Sequence, residues 1–202
     1  MKEYDYILGI DEAGRGPLAG RVFVGAVLLP KRNKQIFLDA PAPLRDSKKL
    51  SQRQREAWMK WIEKKEIIWT KNAVSAKVID RINISRAVEG AAQRSYDNIT
   101  HRASIKNLHV IADGSIKVVV EKGHKFKNEP KADEVYPVVS LASIVAKVHR
   151  DNEMERLHKK FPEYGFDRHK GYGTKNHMRA LKKHGPCEIH RLTFLRNCHT
   201  IH

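Results

Sequence analysis

A chain of 202 residues is long enough to bury one core, with roughly 70% of the unfolded surface removed from water. Lysine and arginine outnumber aspartate and glutamate by 39 to 23, and the resulting formal charge of +16 points to a polyanionic partner, nucleic acid first. The composition argues against the membrane and disulfide-rich classes: no long uncharged apolar run or cleanly amphipathic basic helix is present, and Cys187 and Cys198 are too few for a disulfide framework. Met1 to Asp5 has neither the apolar stretch nor the cleavage site of a signal peptide, so the expected location is the cytoplasm and the expected state a monomer.

Tyr6 to Asp11 and Val22 to Leu29 are short runs rich in Val, Ile and Leu that read as two strands joined by the glycine-rich stretch Gly14 to Gly20. After a proline-marked loop, Ser51-Gln52-Arg53-Gln54 has the form of a capping box. Trp58, Trp61 and Ile62 follow at helical spacing up to Glu66. Ile67 to Val74 again looks like strand, and Ser75 to Ile99 carries the periodicity of two helices or one broken helix. Leu108 to Ala112 is an apolar strand ending in Asp113-Gly114, followed by a mixed basic segment. Ser140 to Phe161 gives the clearest helix, with Leu141, Ile144, Val145 and Val148 on one stripe and Ser143, Lys147, Arg150 and Asp151 on another face. The expected architecture is α/β, one domain over 1–202 with a mixed sheet flanked by helices and a basic helical extension from about 162.

Chemistry enters through the acids. Asp11-Glu12 ends one apolar strand, Asp113 ends a second, and Lys131-Ala132-Asp133-Glu134 approaches the same sheet edge. Four carboxylates with few His or Cys nearby suit a hard cation, Mg²⁺ or Mn²⁺, and clustered acids suit two-metal phosphodiester hydrolysis without a covalent nucleophile. Taken singly, each acid is equally a turn or cap residue. Asp11 and Glu12, as strand neighbours, point to opposite faces unless the chain turns between them, a turn the following glycines could supply. Gly14-Arg15-Gly16 is not a dinucleotide loop, because the G-x-G-x-x-G spacing and the following helix are missing. Cys187, His190, Cys198 and His202 read as packing or solvated residues rather than a zinc site.

The stretch Gly9-Ile10-Asp11-Glu12-Ala13-Gly14-Arg15-Gly16-Pro17-Leu18-Ala19-Gly20 resembles the type 2 ribonucleases H. Asp46-Ser47-Lys48-Lys49-Leu50-Ser51, Ala112-Asp113-Gly114, Ala142 to Asp151 and Tyr164 to Thr174 continue the resemblance in family order over nearly the whole chain. It implies a ribonuclease H fold, Mg²⁺ or Mn²⁺ dependence, and hydrolysis of the RNA strand of RNA–DNA hybrids to 3′-hydroxyl and 5′-phosphate ends. Incision at ribonucleotides embedded in duplex DNA is implied as well.

Carried over by position, Asp11, Glu12, Asp113 and Asp133 match the catalytic acids and metal ligands. Ala132 stands where the family usually has Gly, a departure that leaves the neighbouring Glu134 as the alternative to Asp133. Gly14, Arg15 and Gly16 match the loop whose backbone reads a 2′-hydroxyl, and Tyr172 matches the ring that packs on the adjoining deoxyribose. Ser47, Lys48, Lys49, Ser143 and Lys147 would contact phosphates without reading sequence. Two other readings remain: a type 3 ribonuclease H or related metal nuclease, and a non-catalytic nucleic-acid-binding protein. The first catalytic acid at position 11 leaves no room for the N-terminal domain of type 3 enzymes, which favours type 2.

Overall fold

Residues 4–32, 34–44, 49–103 and 105–196 are described by the structure, a computed structural model. The most apolar runs of the chain occupy the centre of a five-stranded mixed sheet, where both faces are covered. Strand β1 (Tyr6–Ala13) pairs antiparallel with β2 (Val22–Pro30), and β2 pairs antiparallel with β3 (Trp69–Val74). On its other side β1 pairs parallel with β4 (Leu108–Asp113), and β4 pairs parallel with β5 (Lys125–Glu129), giving the order β3-β2-β1-β4-β5. Strand β5 lies in the segment read as mixed and basic: it is a polar edge strand, Lys-Phe-Lys-Asn-Glu, in which Phe126 packs against the core. One apolar residue in five leaves no alternation to detect.

Helices lie on both faces. α1 (Gln52–Lys64) begins with the expected capping box between Ser51 and Gln54 and buries Trp58, Met59, Trp61 and Ile62. α2 (Ala76–Ile82) and α3 (Ile84–Ala103) are separated at Asn83, whose φ of 67° breaks the helix and whose Oδ1 accepts the Arg86 N–H to start the next one. α3 covers one face of the sheet through Ala87, Val88, Ala91, Ala92, Tyr96 and Ile99. α4 (Ala132–Val135) is a single turn leading into α5 (Pro137–Lys160), which with α1 covers the other face.

α5 starts three residues earlier than its apolar stripe suggested, because Pro137 sits at the first helical position, where its missing N–H costs nothing. The second difference is larger. Ser143, Arg150 and Asp151, which the periodicity sets on a face other than the apolar stripe, are buried as well, since the sheet, α1 and the C-terminal extension enclose the helix on several sides.

Two glycines set how near α5 can lie. A Cβ at Gly9 would stand 2.4 Å from the Val138 carbonyl, and one at Gly25 would stand 2.3 Å from the Ala142 oxygen. Both clashes are with helix backbone, which cannot rotate away.

Beyond α5 the chain forms a short 3-10 turn, Pro162–Tyr164, then α6 (Phe166–His169), α7 (Lys175–His184) and α8 (Leu192–Leu195). Tyr164, Phe166 and Leu181 pack there with Leu18, Ala19 and Met154, so the extension is cored on the β1–β2 loop. A buried polar chain runs through it. His177 Nδ1–H donates to the Tyr172 carbonyl (2.9 Å), so His177 Nε2 is an acceptor and receives His190 Nε2–H (3.0 Å). His190 Nδ1 in turn accepts the Cys187 N–H (2.9 Å). The pattern requires both imidazoles to be neutral, and burial pushes each down to about 4.

Gly25→Ala should therefore cost about 2–3 kcal/mol through overpacking, seen calorimetrically as a melting point lower by roughly 5–10 °C. Gly90→Ala in α3, whose nearest neighbour is the flexible end of Arg94 at 3.6 Å, should instead stabilise, by roughly 0.5–1 kcal/mol. The histidine pair sets a pH dependence. Unfolded imidazoles take up protons near pH 6.5 while the folded ones resist until about 4, so stability is complete above about 6.5 and is lost as pH falls toward 4. Melting curves from pH 7 to 4.5 should show a falling midpoint, and a flat profile over that range would contradict the neutral pair.

Candidate active site

The parallel register of β1 and β4 brings two acids together. Ile10 lies opposite Ala112, so the next residue on each strand, Asp11 and Asp113, share the carboxyl end of the sheet. Charge there is costly: Asp11 is buried, and its carboxyl is held well above the usual carboxylate range by burial first, then by the neighbouring Glu12 and Asp113 carboxylates. A hydrogen bond with the Ser143 side chain opposes that rise. Ser143 thus faces an acid.

The acidic segment before α5 joins the same end. Asp113 Oδ1 accepts the Ala132 N–H (2.7 Å), which fixes α4 against β4, and Asp133 next in sequence is buried, with its carbonyl accepting the Ser140 hydroxyl. Glu134 is exposed and lies 3.9 Å from Lys131 Nζ, so the inward acid is Asp133. Ala132 is accommodated without strain. The left-handed residue is Lys131 (φ 60°), and the Ala132 methyl packs in the apolar cluster under α5.

Glu12 behaves differently. β1 pairs one-to-one with β2 through Ala13, without a bulge, and the turn comes only at Gly14 (φ 96°). Asp11 and Glu12 therefore keep opposite faces, and Glu12 receives Arg15 Nε (3.1 Å) at the rim. Among the described residues, no group of three His, Cys, Asp or Glu side chains forms a ligand set for an ion. The donors nevertheless fit a hard divalent cation: they are oxygens, and the mutual repulsion at Asp11 is what a cation would relieve.

The residues expected to touch substrate differ in exposure and in partners. Gly14 is buried against Arg150, where a Cβ would come within 2.1 Å of Nε, whereas Gly16 is exposed, and a Cβ there would meet only the Tyr172 ring, at 4.0 Å. Tyr172 is 45% exposed with the Arg150 guanidinium 5.7 Å from its ring centroid, so the ring borders the Gly14-Arg15-Gly16 loop and still faces solvent. Lys147 is half-buried and bonded to Asp151 (2.7 Å), which also receives Arg55 Nη2 (3.2 Å). Much of its charge is compensated within the protein. Lys49 is exposed, and Ser47 and Lys48 lie outside the described residues.

Sequence reasoning missed Arg191. Its side chain is buried and donates to three backbone carbonyls of the β1–β2 loop, Gly14 (2.7 Å), Arg15 (2.9 Å) and Gly20 (3.0 Å). One arginine among many in a basic tail gives no signal of this. Cys187 and His190, weighed above as half of a zinc set, are spent in the His177 hydrogen-bond chain, and Cys198 and His202 lie outside the described residues.

Comparison with known proteins places the chain in a family. The family described as ribonuclease HII matches residues 8–197. Ribonuclease HII of Caldicellulosiruptor bescii is 41% identical over 194 residues, covering 96% of this chain and 88% of the relative. That of Bacteroides thetaiotaomicron is 40% identical, covering 92% and 88%. Among solved structures, the ribonuclease HII in the PCNA complex from Archaeoglobus fulgidus superposes with a TM-score of 0.73 at 27% identity, covering 97% of each chain. The fold, the placement of the acids at one sheet end and these matches lead to one conclusion: the chain belongs to the ribonuclease HII family and is a type 2 ribonuclease H, an endoribonuclease.

Proposed function

We propose that this enzyme hydrolyses the RNA strand of RNA–DNA hybrids and incises duplex DNA at single embedded ribonucleotides, with Asp11, Asp113 and Asp133 as its inward metal ligands, Glu12 as the acid that reaches the cation from the rim on leaving Arg15, and Mg²⁺ or Mn²⁺ as the cation. The observation that carries the reading is the convergence of Asp11 and Asp113 through the β1–β4 register, with buried Asp133 tied to Asp113 through Ala132. A pair of divalent ions held there would supply an activated water and neutralise the leaving oxygen of an in-line displacement. The chain's own groups do the rest. Ser143 orients the Asp11 carboxyl, and Arg15 holds Glu12 at the rim. The exposed edge of Gly16 admits a sugar to close backbone approach, where the 2′-hydroxyl distinguishes RNA from DNA. Tyr172, backed by Arg150, offers an aromatic face to the neighbouring deoxyribose. Lys49 and the basic surface hold phosphates and set register.

Asp11→Asn and Asp113→Asn should each abolish cleavage while leaving hybrid binding largely intact, because the acids serve the cation and the basic surface serves the phosphates. Asp11→Asn should also raise the melting temperature in chelator, since it removes a repelled, buried charge. Near-normal turnover by either variant in Mg²⁺ takes that residue out of the site.

Tyr172→Ala should reduce the specificity constant on a duplex containing one ribonucleotide by roughly tenfold to a hundredfold, from about 1–3 kcal/mol of lost ring contact. The loss on a uniform hybrid should be smaller, because that substrate has no deoxyribose at the next position. Equal losses on both would reduce Tyr172 to general packing.

A further inference from the structure

Arg191 occupies an unusual position for a charged side chain. It is fully buried beneath the β1–β2 loop, and its three donor nitrogens go to the carbonyls of Gly20, Arg15 and Gly14 at 3.0, 2.9 and 2.7 Å. Its backbone is woven into the same loop: the Arg191 N–H donates to the Leu18 carbonyl, and His190 bridges Ala19. From the far side, Asp80 of α2 accepts the Leu192 and Thr193 N–H groups (2.8 and 3.0 Å), anchoring the segment that carries Arg191.

A trans peptide places its N–H opposite its C=O, and no peptide bond among the described residues is cis. With the Gly14 and Arg15 carbonyls turned inward onto one guanidinium, the amides of the same two peptide planes, Arg15 N–H and Gly16 N–H, point the other way. That direction is the exposed edge of Gly16 beside Tyr172. Packing alone does not call for this arrangement. Burial first, and Arg150 second, push the Arg191 guanidinium down to about 9, and an apolar side chain would fill the space without burying a cation near another. An apolar side chain cannot hold three carbonyls in one direction.

We infer that Arg191 is the positioning residue for ribose recognition: by gathering the loop carbonyls beneath the loop it aims the Arg15 and Gly16 amides outward at the 2′-hydroxyl. The inference rests on the proposed role of this loop as the sugar reader, and the test separates the two. Lysine keeps the charge but concentrates its donors on one nitrogen, so it cannot span the three carbonyls.

The test is equilibrium binding by fluorescence anisotropy, in chelator so that nothing is cut, to a duplex with one ribonucleotide and to the same duplex made wholly of DNA. Wild type, Arg191→Lys, Asp80→Ala and Gly16→Ala are compared. Arg191→Lys should lower the preference for the ribonucleotide by about tenfold with little change in affinity for the DNA duplex. Asp80→Ala, which loosens the anchor from a partly exposed position, should lower it in the same sense and stands in if the lysine variant does not fold. Gly16→Ala, whose methyl meets nothing in the protein closer than 4.0 Å, should also lower it, by obstructing the sugar.

If Gly16→Ala and the wild type show equal preference, the loop is not the sugar reader and the inference falls with that reading. If Gly16→Ala loses the preference while Arg191→Lys and Asp80→Ala keep it, the loop reads the sugar and Arg191 does not aim it. Parallel losses on both duplexes for Arg191→Lys and Asp80→Ala would make Arg191 a packing residue and overturn the inference.

Discussion

At Gly9 and Gly25 the backbone of α5 comes nearer to β1 and β2 than any side chain would allow, since a Cβ there would stand only 2.4 and 2.3 Å from helix backbone atoms. This contact sets the height of α5 over the sheet, and much of the catalytic end follows from it. Ser143, one turn beyond Val139, reaches Asp11 because the helix is this close. α4 is carried in at the helix start, so that Ala132 meets Asp113 and Asp133 is buried beside it. A helix raised by one methyl layer would separate the acid on β1 from the acid before α5. Close packing at two glycines is thus a condition for assembling carboxylates from three separate parts of the chain.

The site is built from like charges buried close to one another. Asp11 is buried next to two other carboxylates, and on the opposite side of the Gly14-Arg15-Gly16 loop Arg150 and Arg191 are buried near each other. Both arrangements oppose folding, and both are held by groups committed elsewhere: the sheet register for the acids, backbone carbonyls for the arginines. Like charges retained in an interior mark places where the local rules of stability give way to a ligand or to the shaping of a surface. Here the carboxylates stand where the proposed cation would bind, and the guanidinium groups lie beneath the loop proposed to read the sugar.

The C-terminal extension belongs to this site as much as the sheet does. Tyr172 is held by its backbone through His169 and His177, His177 is held by His190, and Arg191 follows at once in sequence to take the loop carbonyls. A segment that reads as a basic tail is, in the fold, the support for both the aromatic ring and the loop. Its burial rests on a small apolar cluster, Leu18, Met154, Tyr164, Phe166 and Leu181, to which the loop itself contributes.

How much of this was legible in the sequence follows from the range of each interaction. The strands β1, β2 and β4, the capped α1, the helical periodicity of α2 and α3 and the acids at strand ends are local patterns of hydrophobicity and capping, and these the residues determined by themselves, whereas the break at Asn83 came only with the structure. The family motifs added the identities of the acids and the loop. The polar edge strand β5 carried too little apolar pattern to be seen. Only the tertiary structure decided that Asp133 rather than Glu134 faces inward, that Lys147 is spent on Asp151, and that Asp11 and Glu12 keep opposite faces of a regular strand. It also decided that Arg150 and Arg191 are interior residues. The physical reason is the same in each case: a charged side chain's partner is set by which distant backbone stands beside it, and the Arg191 carbonyls lie more than 170 positions away in the chain.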